Sequence, residues 1–152
     1  MGSTESVAIV LEAFQAVEQR DERRLRELYH PDVEFHWPPS LPFGGSWRGA
    51  VTERPRPSWS HVWEPLQPTE QERRMDPRVV AASEREVVVL WRQRGLSSNG
   101  ERFDAEVLGL YEVRDHKFAR AQMFYFDAAA VQGFLARAAD TDEGPCSRAQ
   151  PK

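Results

Sequence analysis

The sequence predicts an α+β domain: a strongly curved, mostly antiparallel sheet packed against N-terminal helices, forming a cone around a hydrophobic pocket. Three observations predict it. The first thirty or so residues carry apolar stripes of helical period. The second half alternates apolar and polar residues in runs separated by short turns, with no helical run between them. One further apolar helical stripe follows the last of these runs. Helices followed by antiparallel strands give an α+β domain with the helices on one sheet face. A bent sheet closed by helices encloses an interior suited to a small molecule.

The elements follow in order. Residues 1–20 read as an amphipathic helix, with Val7, Val10, Leu11, Phe14 and Val17 on one stripe and Ser3 or Thr4 as its cap. Asp21 reads as the N-cap of a second short helix with Leu25, Leu28 and Tyr29 inward, ended by Pro31. Val33 to Trp37 is a short strand stopped by Pro38 and Pro39. Residues 38–50 read as a Pro/Gly-rich loop carrying Phe43 and Trp47. A third helix is expected over 58–66, with Trp59 and Trp63 on one face and Pro55 and Pro57 before it or in its first turn. Residues 67–77 are polar, and Pro68 and Pro77 break any long element. Strands are expected at 79–82, 86–94, 102–113 and 118–126, with turns at 97–100 and 114–117. Ala128 to Ala138 reads as a closing helix with Val131, Phe134 and Leu135 apolar. The expected organisation is one domain over 1–139 and a polar, disordered tail over 140–152.

Composition narrows the function. The chain has 152 residues, enough for one core, and 11% aromatics argue against global disorder. Its longest apolar stretch, Val87 to Trp91, is far below the roughly 20 residues a bilayer requires, and the N-terminus reads as no signal peptide. No membrane association is expected. The lone Cys146 gives neither an internal disulfide nor a cysteine metal site. A cytoplasmic setting is therefore the expectation. A formal charge of −4 argues against nucleic acid as a partner. Arginine outnumbers lysine 18 to 2, and arginine is the better ligand for a planar anion. The sequence holds no GxGxxG, no P-loop, no GxSxG elbow and no HxH or HExxH spacing. No metal and no cofactor are expected.

That leaves acid–base groups against an aromatic wall. On a regular last strand Met123, Tyr125 and Asp127 share a face. A carboxylate facing a closed cavity is desolvated, which raises its pKa and suits a general acid or base. Asp127 also precedes three alanines and a helix, so it is a good N-cap. The two roles are compatible. Glu34 and His36 share one face of their strand and Val33, Phe35 and Trp37 the other. His36 is a proton shuttle or substrate donor if its face lines the cone, and a surface histidine if not. Arg92 could orient a carboxylate or enolate, or be a surface charge, and Glu106 is a similar case. The five tryptophans exceed what one small core needs. A flat apolar ligand would use Trp37, Phe43, Trp47, Trp63, Trp91 and Tyr125 as walls.

Three stretches resemble the nuclear transport factor 2-like superfamily, closest to its SnoaL-like, polyketide cyclase-like branch. The first is Tyr29-His30-Pro31-Asp32-Val33-Glu34-Phe35-His36-Trp37-Pro38: a helix end, "PD", a strand, then a histidine before a Pro-containing loop. The second is Leu41-Pro42-Phe43-Gly44-Gly45-Ser46-Trp47-Arg48-Gly49, similar to the family's "PxxGxYRG" loop. The third is Gly109 to Lys117 with Phe124-Tyr125-Phe126-Asp127, similar to "vyrvrDGKi…fyxD". The match spans about residues 5–138.

The resemblance implies a cone-shaped fold that is often dimeric through its sheet. It implies an acid–base aspartate at Asp127, a pocket histidine at His36, and cofactor-free aldol closure or isomerisation of an apolar carbonyl-bearing molecule. The superfamily also includes dehydratases, epoxide hydrolases and non-catalytic binders. The chain departs from the pattern in places. His116 replaces the glycine of the "DGK" turn. The aspartate pair of the ketosteroid isomerases would fall on Trp37 and near Gly109, which disfavours that mechanism. The Asp-Arg-Asp set of the limonene epoxide hydrolases is not cleanly present. Pro55 and Pro57 interrupt a helix that usually runs unbroken.

Overall fold

The structure is a computed structural model that describes residues 2–49 and 64–148. Two helices come first, α1 (Ser3–Glu18) and α2 (Glu22–Leu28), then strands β1 (Tyr29–Trp37) and β2 (Gly45–Arg48). A single-turn helix α3 (Glu70–Arg73) leads into β3 (Arg78–Ala82), β4 (Glu86–Leu96), β5 (Arg102–Arg114) and β6 (Lys117–Tyr125), and α4 (Ala128–Arg148) follows. The strands form one curled sheet in the order β2-β1-β6-β5-β4-β3. Every pairing is antiparallel except β1 with β6. The expected α+β architecture is the one observed.

Local chemistry explains the helix ends. Asp21 accepts the Arg24 N–H at 3.0 Å and caps α2 as its position predicts. α1 is capped at Gly2 without a side-chain bond, so neither Ser3 nor Thr4 takes the expected role. Ser6, fully buried, instead donates its hydroxyl within hydrogen-bond reach of the Ser3 and Ser83 carbonyl oxygens, tying α1 to the β3–β4 turn. Val10, Ala13, Phe14 and Ala16 are the buried face of α1, and Leu25 and Leu28 that of α2.

Three elements differ from the expectation. β1 begins at Tyr29 rather than Val33 and accommodates Pro31 because its register with β6 shifts between Tyr29 and Glu34. A strand proline is tolerated at such an irregularity because no ladder hydrogen bond is asked of it. β2 lies in the segment expected as loop, pairing Trp37 with Gly45 and Phe35 with Trp47. A four-residue edge strand leaves too short a pattern to read. α4 continues helically beyond Ala138 to Arg148. The expected helix over 58–66 lies largely outside the described residues, with Trp59 and Trp63. At its expected end, Leu66 bridges to Gly95.

The sheet sorts its side chains by strict alternation. In β4, Val87, Val89, Trp91, Gln93 and Gly95 are buried and the residues between them are not. Their partners follow suit: Val87 opposite Tyr111, Val89 opposite Gly109, Trp91 opposite Val107, and Val107 in turn opposite Tyr125. This concave face packs on α1 and α2 in a large cluster around Phe14, Tyr29, Phe35, Trp91, Tyr111 and Phe118. A second cluster, Leu41, Phe43, Leu66, Val131, Phe134 and Leu135, joins α4 to the opposite end of that face. Gly95 makes the join possible, since a Cβ there would stand 2.8 Å from the Phe134 ring and 2.7 Å from the Pro65 carbonyl oxygen.

The β5–β6 turn carries backbone strain. Asp115 and His116 both have positive φ, 54° and 60°, the signature of a tight primed hairpin turn. Glycine takes the second position without the left-handed penalty of about 1 kcal/mol, whereas His116 gains only an exposed contact to Glu5 at 2.6 Å. His116→Gly is therefore expected to raise stability by about 0.5–1 kcal/mol, as a higher urea midpoint at unchanged slope.

Candidate functional site

The concave face is aromatic and carries buried polar atoms that the protein does not pair. Trp37 meets Phe43 edge-on with centroids 5.2 Å apart, and Phe43 meets Tyr125 at 6.4 Å. Trp91 meets Phe14 edge-on at 5.9 Å, and Phe14 meets Tyr111 at 5.5 Å. Trp37 and Tyr125 touch both apolar clusters, so the seam between the clusters runs beside them. At this seam lies Gln93, 0% exposed, with neither amide atom hydrogen-bonded. The Tyr125 hydroxyl and the Trp91 indole N–H are likewise buried; Tyr125 lies within reach of the Gln93 amide and Trp91 within reach of the Tyr111 hydroxyl, but neither makes a well-aligned hydrogen bond. An orphaned buried polar group costs about 1–3 kcal/mol, and native interiors avoid it unless a ligand or water completes the bond.

Burial also fixes protonation here. The Tyr125 phenol is pushed well above its ordinary range by desolvation; the nearby Gln93 amide holds part of that rise back and Tyr111 adds to it. Tyr111 is raised for the same first cause, with Trp91 opposing. Both phenols keep their protons at any physiological pH and act as donors, not bases. Gly109 makes room for the Tyr111 ring: a Cβ at Gly109 would stand 2.1 Å from the Tyr111 hydroxyl.

The expected site residues divide between the two faces of the sheet. Trp37, Phe43, Trp91 and Tyr125 stand on the concave side. Trp47 lies at its β2 edge, 38% exposed, its indole donating to the Phe43 carbonyl at 3.3 Å. Trp63 lies outside the described residues. Arg92 and Glu106 belong to the outer face, which corrects the expectation that they reach the cavity. Alternation places them there once Trp91 and Gln93 point inward. Arg92 bonds Asp104 at 2.7 Å and lies 3.7 Å from Glu106, an arrangement water accommodates far better than a core.

The catalytic candidates are not brought together on the concave face. His36 alternates with the inward Phe35 and pairs in register with Ser46 and Gln122, so it takes the outer face. Its Nδ1 lies 2.8 Å from Ser46 Oγ, and its buried Nε2 lies 3.8 Å from Glu34 Oε2. Glu34 also bonds Arg48 at 2.9 Å. Asp127 does not continue the strand face of Met123 and Tyr125, because β6 ends at Tyr125 and residues 126–127 form a turn. Asp127 is exposed, and its Oδ1 accepts the Ala130 N–H at 3.0 Å as the N-cap of α4.

Gln93 is the residue that sequence reasoning passed over. Its one signal was position: a polar side chain in register with Val87, Val89 and Trp91.

The other concavity is polar. A cleft of about 280 Å³ is lined by Arg74, Arg94 and Arg102 with Glu72, Asp76 and Asp104. These groups pair among themselves, as in Arg94 with Asp76 at 2.9 Å and Arg94 with Asp104 at 3.5 Å. Among the described residues no cluster of three or more His, Cys, Asp or Glu could hold a metal ion, and no helix is long and apolar enough to cross a membrane.

Comparison with known proteins supplies the family. Residues 10–121 match the model of the SnoaL-like domain. No functionally curated protein matches the chain. Among solved structures, the protein TerC co-crystallised with polyporic acid superposes with a TM-score of 0.71 at 20% identity, covering 87% of this chain and 98% of that one. An NTF2-like protein from Burkholderia xenovorans LB400 gives 0.68 at 23% identity, covering 91% and 98%. A proposed polyketide cyclase from Xanthomonas campestris pv. campestris gives 0.67 at 16% identity, covering 90% and 98%.

The capping geometry sets an expectation for Asp127. Asparagine caps as well as aspartate, whereas alanine leaves the Ala130 N–H unpaired. Asp127→Ala is expected to lower stability by about 1 kcal/mol and Asp127→Asn by only a few tenths, read from urea unfolding.

Proposed function

Because the chain belongs to the SnoaL-like branch of the NTF2-like superfamily, we propose that it takes up an apolar, carbonyl-bearing small molecule against its concave face and promotes ring closure or isomerisation there without a cofactor. The observation that carries this reading is the aromatic concave wall ending in the unpaired polar atoms of Gln93, Tyr125 and Trp91. Apolar rings stack a flat ligand, and the polar atoms fix its orientation. The co-crystallisation of TerC, a fold relative, with polyporic acid is consistent with a small organic ligand in this architecture. In the cyclase reading a base removes the proton next to the carbonyl, the enolate attacks a second carbonyl, and an acid protonates the new alkoxide. Tyr125, protonated by virtue of its burial, would stabilise the enolate oxygen as a donor. Asp127 is the proton-transfer residue that the family resemblance implies.

The second reading is a binder without turnover. It is favoured by the placement of Asp127 at a helix cap and of His36 on the outer face. One experiment separates the two. An aryl ketone bound in D2O is followed by proton NMR for exchange of its α-hydrogens. The enzyme reading expects exchange at least tenfold above buffer, abolished in Asp127→Asn with binding retained. Exchange that survives in Asp127→Asn removes that residue from the chemistry. Binding with no acceleration by the wild type establishes the binder.

We further propose that the outer sheet face pairs with a second copy of the chain. On it Phe124, Leu108 and Leu90 lie side by side across three strands, with Phe124 48% and Leu108 37% exposed. Apolar neighbours on one exposed face mark an association surface. Charged pairs at one end of the stripe, Arg92 with Asp104 and Glu106, suit a polar rim. Sedimentation is expected to show a dimer that Leu108→Glu with Phe124→Glu converts to a monomer; a monomeric wild type refutes the pairing.

A further inference from the structure

We propose that Gln93 and Tyr125 form a neutral recognition subsite, in which the Tyr125 hydroxyl and the Gln93 amide N–H donate to a carbonyl oxygen of an uncharged ligand while the Gln93 carbonyl accepts from a ligand hydroxyl. The inference rests on the ligand-binding reading above and deepens it by naming the group bound and the charge excluded.

Three features carry it. The first is burial without a well-aligned hydrogen bond, which holds for the whole Gln93 side chain and for the hydroxyl of the half-buried Tyr125. Gln93 is fully enclosed, and its amide makes no well-aligned hydrogen bond although it lies within reach of the Tyr125 hydroxyl; a glutamine amide offers a donor and an acceptor side by side. The second is register. Gln93 on β4 lies opposite Ala105 of β5, and one step along the concave face Val107 lies between Trp91 and Tyr125. Gln93 and Tyr125 therefore share the concave face across β5, with Ala105 and Val107 on the strand between them, and lie within reach of each other. Trp91 flanks the pair with flat apolar surface. The third is charge. The inward-facing described residues of β1, β4, β5 and β6 are all uncharged. An anionic ligand would lose its hydration with no cation on these strands to replace it. A ketone, or a ketone with a neighbouring hydroxyl, gains two or three hydrogen bonds at no such cost.

The test uses three probes of one shape: 2-acetylnaphthalene, 2-ethylnaphthalene and 2-naphthoate, titrated calorimetrically into the full chain. The wild type is expected to bind the ketone about five- to tenfold tighter than the ethyl analogue, the yield of one to two neutral hydrogen bonds. It is expected to bind the carboxylate at least a hundredfold more weakly than the ketone. Gln93→Met, of similar length and apolar, is expected to bring the ketone down to the level of the ethyl compound, leave ethyl binding unchanged and raise the melting temperature. The rise in melting temperature is the readout a purely structural glutamine would reverse. Tyr125→Phe provides a second variant with the same expected loss of preference.

Equal binding of ketone and ethyl compound by the wild type overturns the subsite. So does a ketone preference that survives both substitutions, or carboxylate binding as tight as the ketone. In those cases binding to the concave face still stands. If none of the three probes binds, the ligand-binding reading itself fails.

Discussion

The β4–β5 ladder sets the interior of this protein. Its register runs without a shift from Glu86 opposite Glu112 to Leu96 opposite Arg102. Side chains on a strand alternate with period two, so a slip of one residue would exchange the two faces of the sheet wholesale. Trp91 and Gln93 would then point outward, and Arg92 and Arg94 would be driven into the core without their partners Asp104 and Asp76. Burying unpaired guanidiniums is far more costly than the registers differ in hydrogen bonding. The same ladder places Gly109 and Ala105 inward, and Gly109 makes room for the Tyr111 ring.

From that constraint follows a division of labour between the two faces. The outer face collects the charges: Arg92 with Asp104 and Glu106, and Glu34 with Arg48 and Arg120. The concave face collects rings, with a few neutral polar groups among them. Such a surface discriminates by shape and by the geometry of one or two hydrogen bonds. The SnoaL-like fold hosts different outcomes on one scaffold. Under the proposed function, the choice between catalysis and binding turns on whether a proton-transfer group reaches the ligand. Tyr125 is held protonated by its burial, so it can steady an oxyanion but cannot serve as the base.

The fold was legible in the sequence because its signals are periodic. The stripe of α1, the Asp21 cap of α2 and the alternation of β4 to β6 are properties of local residue order, and each stands in the structure near the expected bounds. β2 and the early start of β1 were not legible, since one is a four-residue edge and the other passes through Pro31 at a register shift. For the site, the aromatic wall of Trp37, Phe43, Trp91 and Tyr125 was legible as composition. The inward face was not: Arg92 and Trp91 are neighbours, and periodicity alone does not say which looks inward. Asp127 shows the same difficulty at a strand end. Alternation puts it on the face of Tyr125 only if β6 continues for two more residues, and the turn into α4 ends the alternation first. Gln93 escaped notice because a lone polar residue in an apolar strand is conspicuous only once its neighbours are known to be buried.

The measurement that tests the central claim most directly is a high-resolution crystal structure of the protein, read at Gln93. The account predicts ordered density, from a water or a bound small molecule, within about 2.7–3.2 Å of the Gln93 amide and the Tyr125 hydroxyl, enclosed by Trp37, Phe43 and Trp91. A Gln93 amide turned onto protein donors and acceptors, with side chains filling the space between it and Tyr125, would contradict it.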